Sequence, residues 1–126
     1  MNKKKILVIE DEEMLLDSYC EILESSGYET LRANDGYKGL EILEAEKDSL
    51  SLVILDLMMP GLDGLEVLRI KTEALEKYGK APVLVLTNMA SEKAIKEAFD
   101  IGATSYLIKT EMDSESLIKE VQKIVD

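Results

Sequence analysis

The chain has 126 residues and a formal net charge of −11, with 26 acids against 15 bases, one cysteine and no histidine. That length supports one domain with a full apolar core, and the lone Cys20 excludes an internal disulfide. Net acidity opposes direct binding to nucleic-acid phosphates or anionic membranes, and the missing histidine excludes histidine metal sites and histidine acid–base catalysis.

Lys3, Lys4 and Lys5 precede an apolar run, but only Ile6 to Ile9 follow before Glu10, Asp11, Glu12 and Glu13, so the apolar segment of a secretory signal is missing. No stretch approaches membrane-spanning length. The expectation is a cytoplasmic protein with one domain over residues 1–126.

Lys5 to Ile9 reads as a strand, dense in branched apolar residues and ended by acid. Glu12 to Ser26 has helical spacing, with Leu16, Tyr19 and Leu23 as core contacts and Gly27 as its stop. Cys20 falls within it and is expected as a small buried or half-buried residue. Tyr28 to Ala33 is a weaker, more polar strand nearer an edge. Asn34-Asp35-Gly36 marks a turn, and Asp35 can cap a helix running to about Glu46. In that helix Leu40 and Leu43 point inward, while Glu41 and Glu44 face out.

Ser51 to Leu55 is a short apolar run ending at Asp56, followed by Leu57-Met58-Met59-Pro60-Gly61-Leu62-Asp63-Gly64. Such a run reads as a strand covered on both faces, the mark of a parallel sheet. Asp63 can cap a third helix with Glu66 completing a capping box. That helix is expected to carry Leu65, Leu68 and Leu75 inward and a charged outer face, continuing to Tyr78 before Gly79 and Pro82 stop it. Ala81 to Thr87 is the fourth strand, with Pro82 tolerated at its start. Ser91 can cap a fourth helix ending near Ile101-Gly102. Ser105 to Ile108 is a short fifth strand, followed by Lys109. Asp113 or Ser114 starts the last helix, whose stripe is Leu117, Ile118, Val121, Ile124 and Val125.

Strand and helix alternate throughout. Right-handed crossovers then give an α/β fold, a doubly wound five-stranded parallel sheet of (βα)5 type with flavodoxin-like topology and helices on both faces.

In such a sheet every strand's carboxyl end points the same way. That edge collects Glu10, Asp11, Asp56, Thr87 and Lys109. Crowded carboxylates repel, and a hard divalent cation relieves the repulsion: Mg²⁺, with Mn²⁺ as a substitute, accepts a few carboxylates, a carbonyl and waters. The same ion neutralises phosphoryl oxygens in an in-line transfer, and Asp56 as nucleophile would become an aspartyl phosphate. Ordinary readings stand beside these roles. Asp11 could only cap a helix, Glu10 could be a solvated loop acid, Asp56 a turn residue, Thr87 a strand-end threonine and Lys109 a surface lysine. Convergence of all five on one edge favours the chemistry.

The chain resembles a response regulator receiver domain of two-component signalling, within the CheY-like superfamily. The resemblance rests on Ile6 to Glu12, on Val53 to Gly64, on Val85-Leu86-Thr87 and on Tyr106-Leu107-Ile108-Lys109, and covers essentially the whole chain. It implies Asp56 as phospho-acceptor, Asp11 as direct Mg²⁺ ligand, Glu10 acting mainly through water, and Met58 giving its backbone carbonyl to the metal. It also implies Thr87 as the switch hydroxyl, Lys109 as the phosphate-contacting lysine and Tyr106 as the switch aromatic. Its implied partners are a histidine kinase or histidine phosphotransfer protein, and a downstream protein or attached output domain. A dimer through helix four, strand five and helix five belongs to the same set.

Three places depart from the pattern or vary. Thr110 follows Lys109 where the family usually has a cis proline; a cis bond before threonine costs about 2.5–4 kcal/mol rather than about 0.5–1, so either a trans bond with a repositioned loop or a packed cis bond is expected. Asn88 stands where a small residue is usual, and would hydrogen-bond a phosphoryl group or obstruct water. Met58 and Met89 are large apolar neighbours that would slow water's approach to a phosphorylated Asp56.

The resulting expectation is a phospho-accepting switch rather than an enzyme, limited to its own phosphorylation and slow autodephosphorylation. One alternative is a receiver-like interaction module that works without phosphorylation. A Mg²⁺-dependent phosphatase with an aspartyl nucleophile is disfavoured, because the second acid it needs is replaced by Met58 and no cap segment is present.

Overall fold

Branched apolar runs bounded by turn chemistry become five strands in the computed structural model, which describes residues 3–88 and 92–126. They are β1 (Lys5–Ile9), β2 (Glu29–Ala33), β3 (Leu50–Asp56), β4 (Val83–Thr87) and β5 (Ser105–Ile108). All neighbours pair in parallel, in the order β2-β1-β3-β4-β5. The connecting helices are α1 (Glu13–Ser25), α2 (Gly36–Ala45), α3 (Gly64–Glu73), α4 (Glu92–Ile101) and α5 (Ser114–Val125), with one extra helical turn at Leu75–Tyr78. The expected doubly wound, flavodoxin-like sheet is the one observed, and the more polar β2 lies at an edge.

Because successive strand residues face opposite sides, the sheet divides two apolar cores. Ile6, Val8, Leu52, Ile54, Leu84 and Leu86 meet α1 and α5 through Leu16, Tyr19, Cys20, Leu23, Leu117 and Val121. Leu7, Ile9, Val53, Leu55, Val83 and Val85 meet α2, α3 and α4 through Leu43, Val67, Leu68 and Ala98. Cys20 is fully buried.

The helix starts follow the acids read as caps. Asp35 accepts the Lys38 amide at 2.7 Å. Asp63 and Glu66 form the reciprocal capping box at 2.9 and 3.2 Å, and Asp113 does the same with Ser116. The Ser91 cap and Met89 lie outside the described residues.

The third helix differs from expectation. It ends at Glu73, because Ala74 leaves helical geometry at φ −141° and ψ 60°, and the chain makes a separate turn at Leu75–Tyr78. Leu75 is exposed rather than packed. Lys71 is buried instead, its Nζ donating to the carbonyls of Gly79 at 3.0 Å and Ala81 at 2.8 Å. The inward ammonium ties the returning chain to the helix, so the chain turns back toward β4.

Candidate functional site

Strand register assembles the site stepwise across the sheet. Ile9 pairs with Leu55, which sets Glu10 beside Asp56. Asp56 pairs with Leu86, which brings Thr87 alongside, and Thr87 pairs with Ile108, which delivers Lys109. Backbone bonds pin the strand exits: the Glu10 amide donates to Ala33 O at 3.0 Å and the Leu57 amide to Leu86 O at 2.9 Å.

Glu10, Asp56 and Thr87 are buried. Lys109 Nζ lies 2.6 Å from Glu10 Oε1 and 3.2 Å from Asp56 Oδ2. Asp56 Oδ1 accepts the Met58 amide at 3.1 Å, so both oxygens of this carboxylate have a donor or cation beside them. Glu10 Oε2 accepts the Glu12 amide at 3.2 Å. Full burial of Glu10 overturns its reading as a solvated loop acid, and the buried amine overturns Lys109 as a surface lysine.

Glu10, Asp11 and Asp56 each offer an oxygen within 4.8 Å of the others. With one ammonium among three carboxylates the cluster carries excess negative charge away from bulk water. Burial pushes the Glu10 carboxyl up to about 7, the nearby Asp56 adding to this and the Lys109 bond opposing it. Burial also raises Asp56, against the pull of its bonds with Glu10, Met58 and Lys109. Burial by itself would lower Lys109, but the bond to Glu10 and the two carboxylates outweigh it and hold the ammonium above its ordinary value. Hard oxygen donors, crowded and reluctant to ionise together, fit a divalent cation such as Mg²⁺.

The remaining expected residues sit around this centre. Met58 is 67% exposed, and it borders a cavity of about 380 Å³ that Thr87 also lines. Asn88 is exposed. Tyr106 is partly exposed on β5, its ring edge-on to Phe99 of α4 with centroids 6.0 Å apart. The described residues contain no cis peptide bond, so Lys109–Thr110 is trans, and a short 3-10 turn at Lys109–Glu111 leads away from the strand. The trans bond still leaves Lys109 beside both acids.

Two features were missed in the sequence. Lys71 carried no expectation of its own beyond the charged outer face of its helix, although Gly64, Val67, Leu68 and Lys71 recur at helical spacing and form the buried stripe of α3. Gly36 and Gly39 carried no expectation beyond a turn and a helix, and their importance is a matter of space alone.

A family model described as the response regulator receiver domain matches residues 6–122. Among curated proteins, the chain is 39% identical over 111 residues to an uncharacterized transcriptional regulatory protein, YrkP, of Bacillus subtilis, covering 88% of this chain and 45% of that one. It is 34% identical over 121 residues to the transcriptional regulatory protein CpxR of Escherichia coli, covering 96% and 49%. The chain therefore spans about half the length of these curated relatives. Among solved structures, a response regulator receiver domain protein from Clostridium thermocellum superposes with a TM-score of 0.85 at 32% identity, covering 97% of this chain and 94% of that one.

Proposed function

The chain belongs to the response regulator receiver domain family, and on that premise we propose that Asp56 accepts a phosphoryl group from a phosphohistidine on a histidine kinase or phosphotransfer protein. Membership makes it a phospho-acceptor switch rather than a turnover enzyme. The supporting observation is Asp56 itself, a buried strand-end carboxylate within ligand distance of Glu10 and Asp11 and 3.2 Å from Lys109.

In this reading an Asp56 oxygen forms the new P–O bond as the P–N bond to the donor imidazole breaks. Glu10, Asp11, Asp56 and the Met58 carbonyl would hold Mg²⁺, with Glu10 acting mainly through water. That ion would neutralise the phosphoryl oxygens. The Met58 amide and Lys109 orient the Asp56 carboxylate beforehand, so little reorganisation is required at transfer. Lys109 is placed to follow the phosphoryl charge, and the Thr87 hydroxyl is the group that turns toward it.

Phosphorylation biases two states only as far as it interacts differently with them. Thr87 and Tyr106 are the proposed moving pair, and the surface of α4, β5 and α5 carries the result to a partner or to a second copy. Output through an attached domain or a separate protein belongs to the same proposal. So does a single-domain reading of residues 1–126. Among the described residues no helix is long and apolar enough to cross a membrane.

The test is intact mass and tyrosine fluorescence after a small acyl-phosphate donor is added, with and without Mg²⁺, for the parent and Asp56→Asn. A Mg²⁺-dependent gain of one phosphoryl group, absent in the variant, is expected. A folded, Mg²⁺-binding parent that gains nothing would favour the phosphorylation-independent interaction module.

A further inference from the structure

We propose that Gly36, at the start of α2, is a positioning residue for the Asp56 site, acting as the seat for the loop of residues 57–63. The proposal rests on the assignment of Asp56 above and concerns how its surroundings are held. Gly36 touches none of the reacting groups.

The demand at Gly36 is for space. Its φ is not among the positive glycine angles, so its backbone conformation is open to other residues. A Cβ there, however, would stand 2.6 Å from Leu62 O, 2.9 Å from Val67 Cγ2 and 3.0 Å from Leu62 Cβ. The Val67 methyl belongs to a side chain, so a smaller residue there removes that contact. The Leu62 carbonyl is backbone and moves only if the loop moves.

The loop has little slack to absorb such a move. At its far end the Gly64 amide donates to Leu57 O at 3.1 Å, and a side chain on Gly64 would strike the Asp56 carbonyl. Asp63 is committed to the capping box of α3. Displacing Leu62 therefore shifts either the start of α3 or the segment carrying Met58. The Met58 amide bond to Asp56 Oδ1 is 3.1 Å, near the long end of the range for such bonds. A displacement of a few tenths of an ångström takes it beyond that range and loosens the hold on the carboxylate.

Gly39 supplies the control within the same helix. A Cβ there would also be crowded, 2.6 Å from Ile9 Cδ1 and 3.1 Å from Ile9 Cγ1, but its neighbour is the side chain of a core residue on β1. Crowding at Gly39 strains the core and leaves the loop alone.

The experiment records amide NMR spectra of the metal-free full chain, then titrates Mg²⁺, for the parent, Gly36→Ala, Gly39→Ala and Gly36→Ala/Val67→Ala. Trimethylamine N-oxide is added throughout to keep the weakened variants folded. Gly36→Ala is expected to move the Met58 amide resonance and weaken Mg²⁺ binding by about tenfold, the scale on which groups that orient metal ligands act. Gly39→Ala should lose stability with the Met58 resonance at its parent position. The double variant relieves the Val67 contact and keeps the Leu62 contact, so its Met58 shift and Mg²⁺ defect should persist. An unmoved Met58 resonance in Gly36→Ala overturns the proposal, as does recovery of both readouts in the double variant or an equal Met58 shift in Gly39→Ala. Failure of Gly36→Ala and the double variant to fold with the osmolyte present overturns it too, since Gly36 would then hold the fold rather than the site. Phosphorylation of the parent, run alongside, tests the assignment of Asp56 separately, because the Met58 resonance needs no phosphoryl group.

Discussion

The Lys109 ammonium sits 2.6 Å from the Glu10 carboxylate, joining residues 99 positions apart in a pair whose side chains are 6% and 0% exposed. In so dry a setting neither charge is tolerable without the other. Removing one partner of a buried pair costs about 3–5 kcal/mol, because the surviving charge is left uncompensated. Lys109→Met should therefore lower the unfolding free energy by roughly that amount in urea titrations without metal. Added Mg²⁺ should restore part of the loss by supplying the missing positive charge. Unchanged stability in Lys109→Met would mean that the pair does not hold in solution.

The same burial makes the metal-free protein sensitive to pH. Glu10 is pushed up to about 7, chiefly by desolvation, so between the ordinary carboxylate range and about 7 the folded state binds more protons than the unfolded chain. Stability then falls as pH rises through that window and levels off above it. Mg²⁺ binding should strengthen with rising pH over the same interval and release protons into weak buffer. Urea midpoints and Mg²⁺ titrations from pH 5 to 8 check both slopes, and Glu10→Gln should flatten them.

Lys71 predicts a stability effect without a functional one. Its ammonium serves the Gly79 and Ala81 carbonyls far along the chain from Asp56. Lys71→Met keeps most of the volume but removes the donor, at a cost of about 1–3 kcal/mol for buried acceptors left unpaired. Chemical denaturation should show that loss while phosphorylation by a small donor proceeds at the parent rate. A matching drop in phosphorylation would connect this end of the sheet to the site.

Met58 predicts the opposite pattern. Its side chain is 67% exposed and borders the cavity that Thr87 lines, so truncation costs the core nothing. Met58→Ala should leave the unfolding midpoint within about 0.5 kcal/mol of the parent and shorten the lifetime of the phosphorylated protein several-fold by admitting water. An unaltered decay rate would remove Met58 from the factors that protect the phosphoryl group.

The strand ends were legible because local sequence sets them. An apolar run can only be buried, and an ionisable residue closing it must sit at the sheet's edge; Asp56, Glu10 and Lys109 were found that way. Ile6 and Val8 face one core and Leu7 and Ile9 the other, as period-two alternation along a strand requires. The inward place of Lys71 was not legible from its charge, and only its position on the α3 stripe points there. Leu75 was misassigned because the break at Ala74 depends on where Lys71 reaches. That reach spans from helix to returning chain and has no local signature.

Residue order alone determined the five strands, their parallel pairing, the acidic caps of α2, α3 and α5, and the convergence of the reactive groups on one edge. The strands and caps follow from burial patterns and hydrogen bonding within a few residues, and the pairing and convergence from the alternation of strand and helix along the chain. The tertiary structure alone decided that Glu10 is fully dehydrated and tied to Lys109, that Lys71 turns inward, and that Gly36 must be bare to admit the Leu62 carbonyl. These depend on which atoms from separate elements come within a few ångströms, and close packing fixes such distances only when the whole chain has folded.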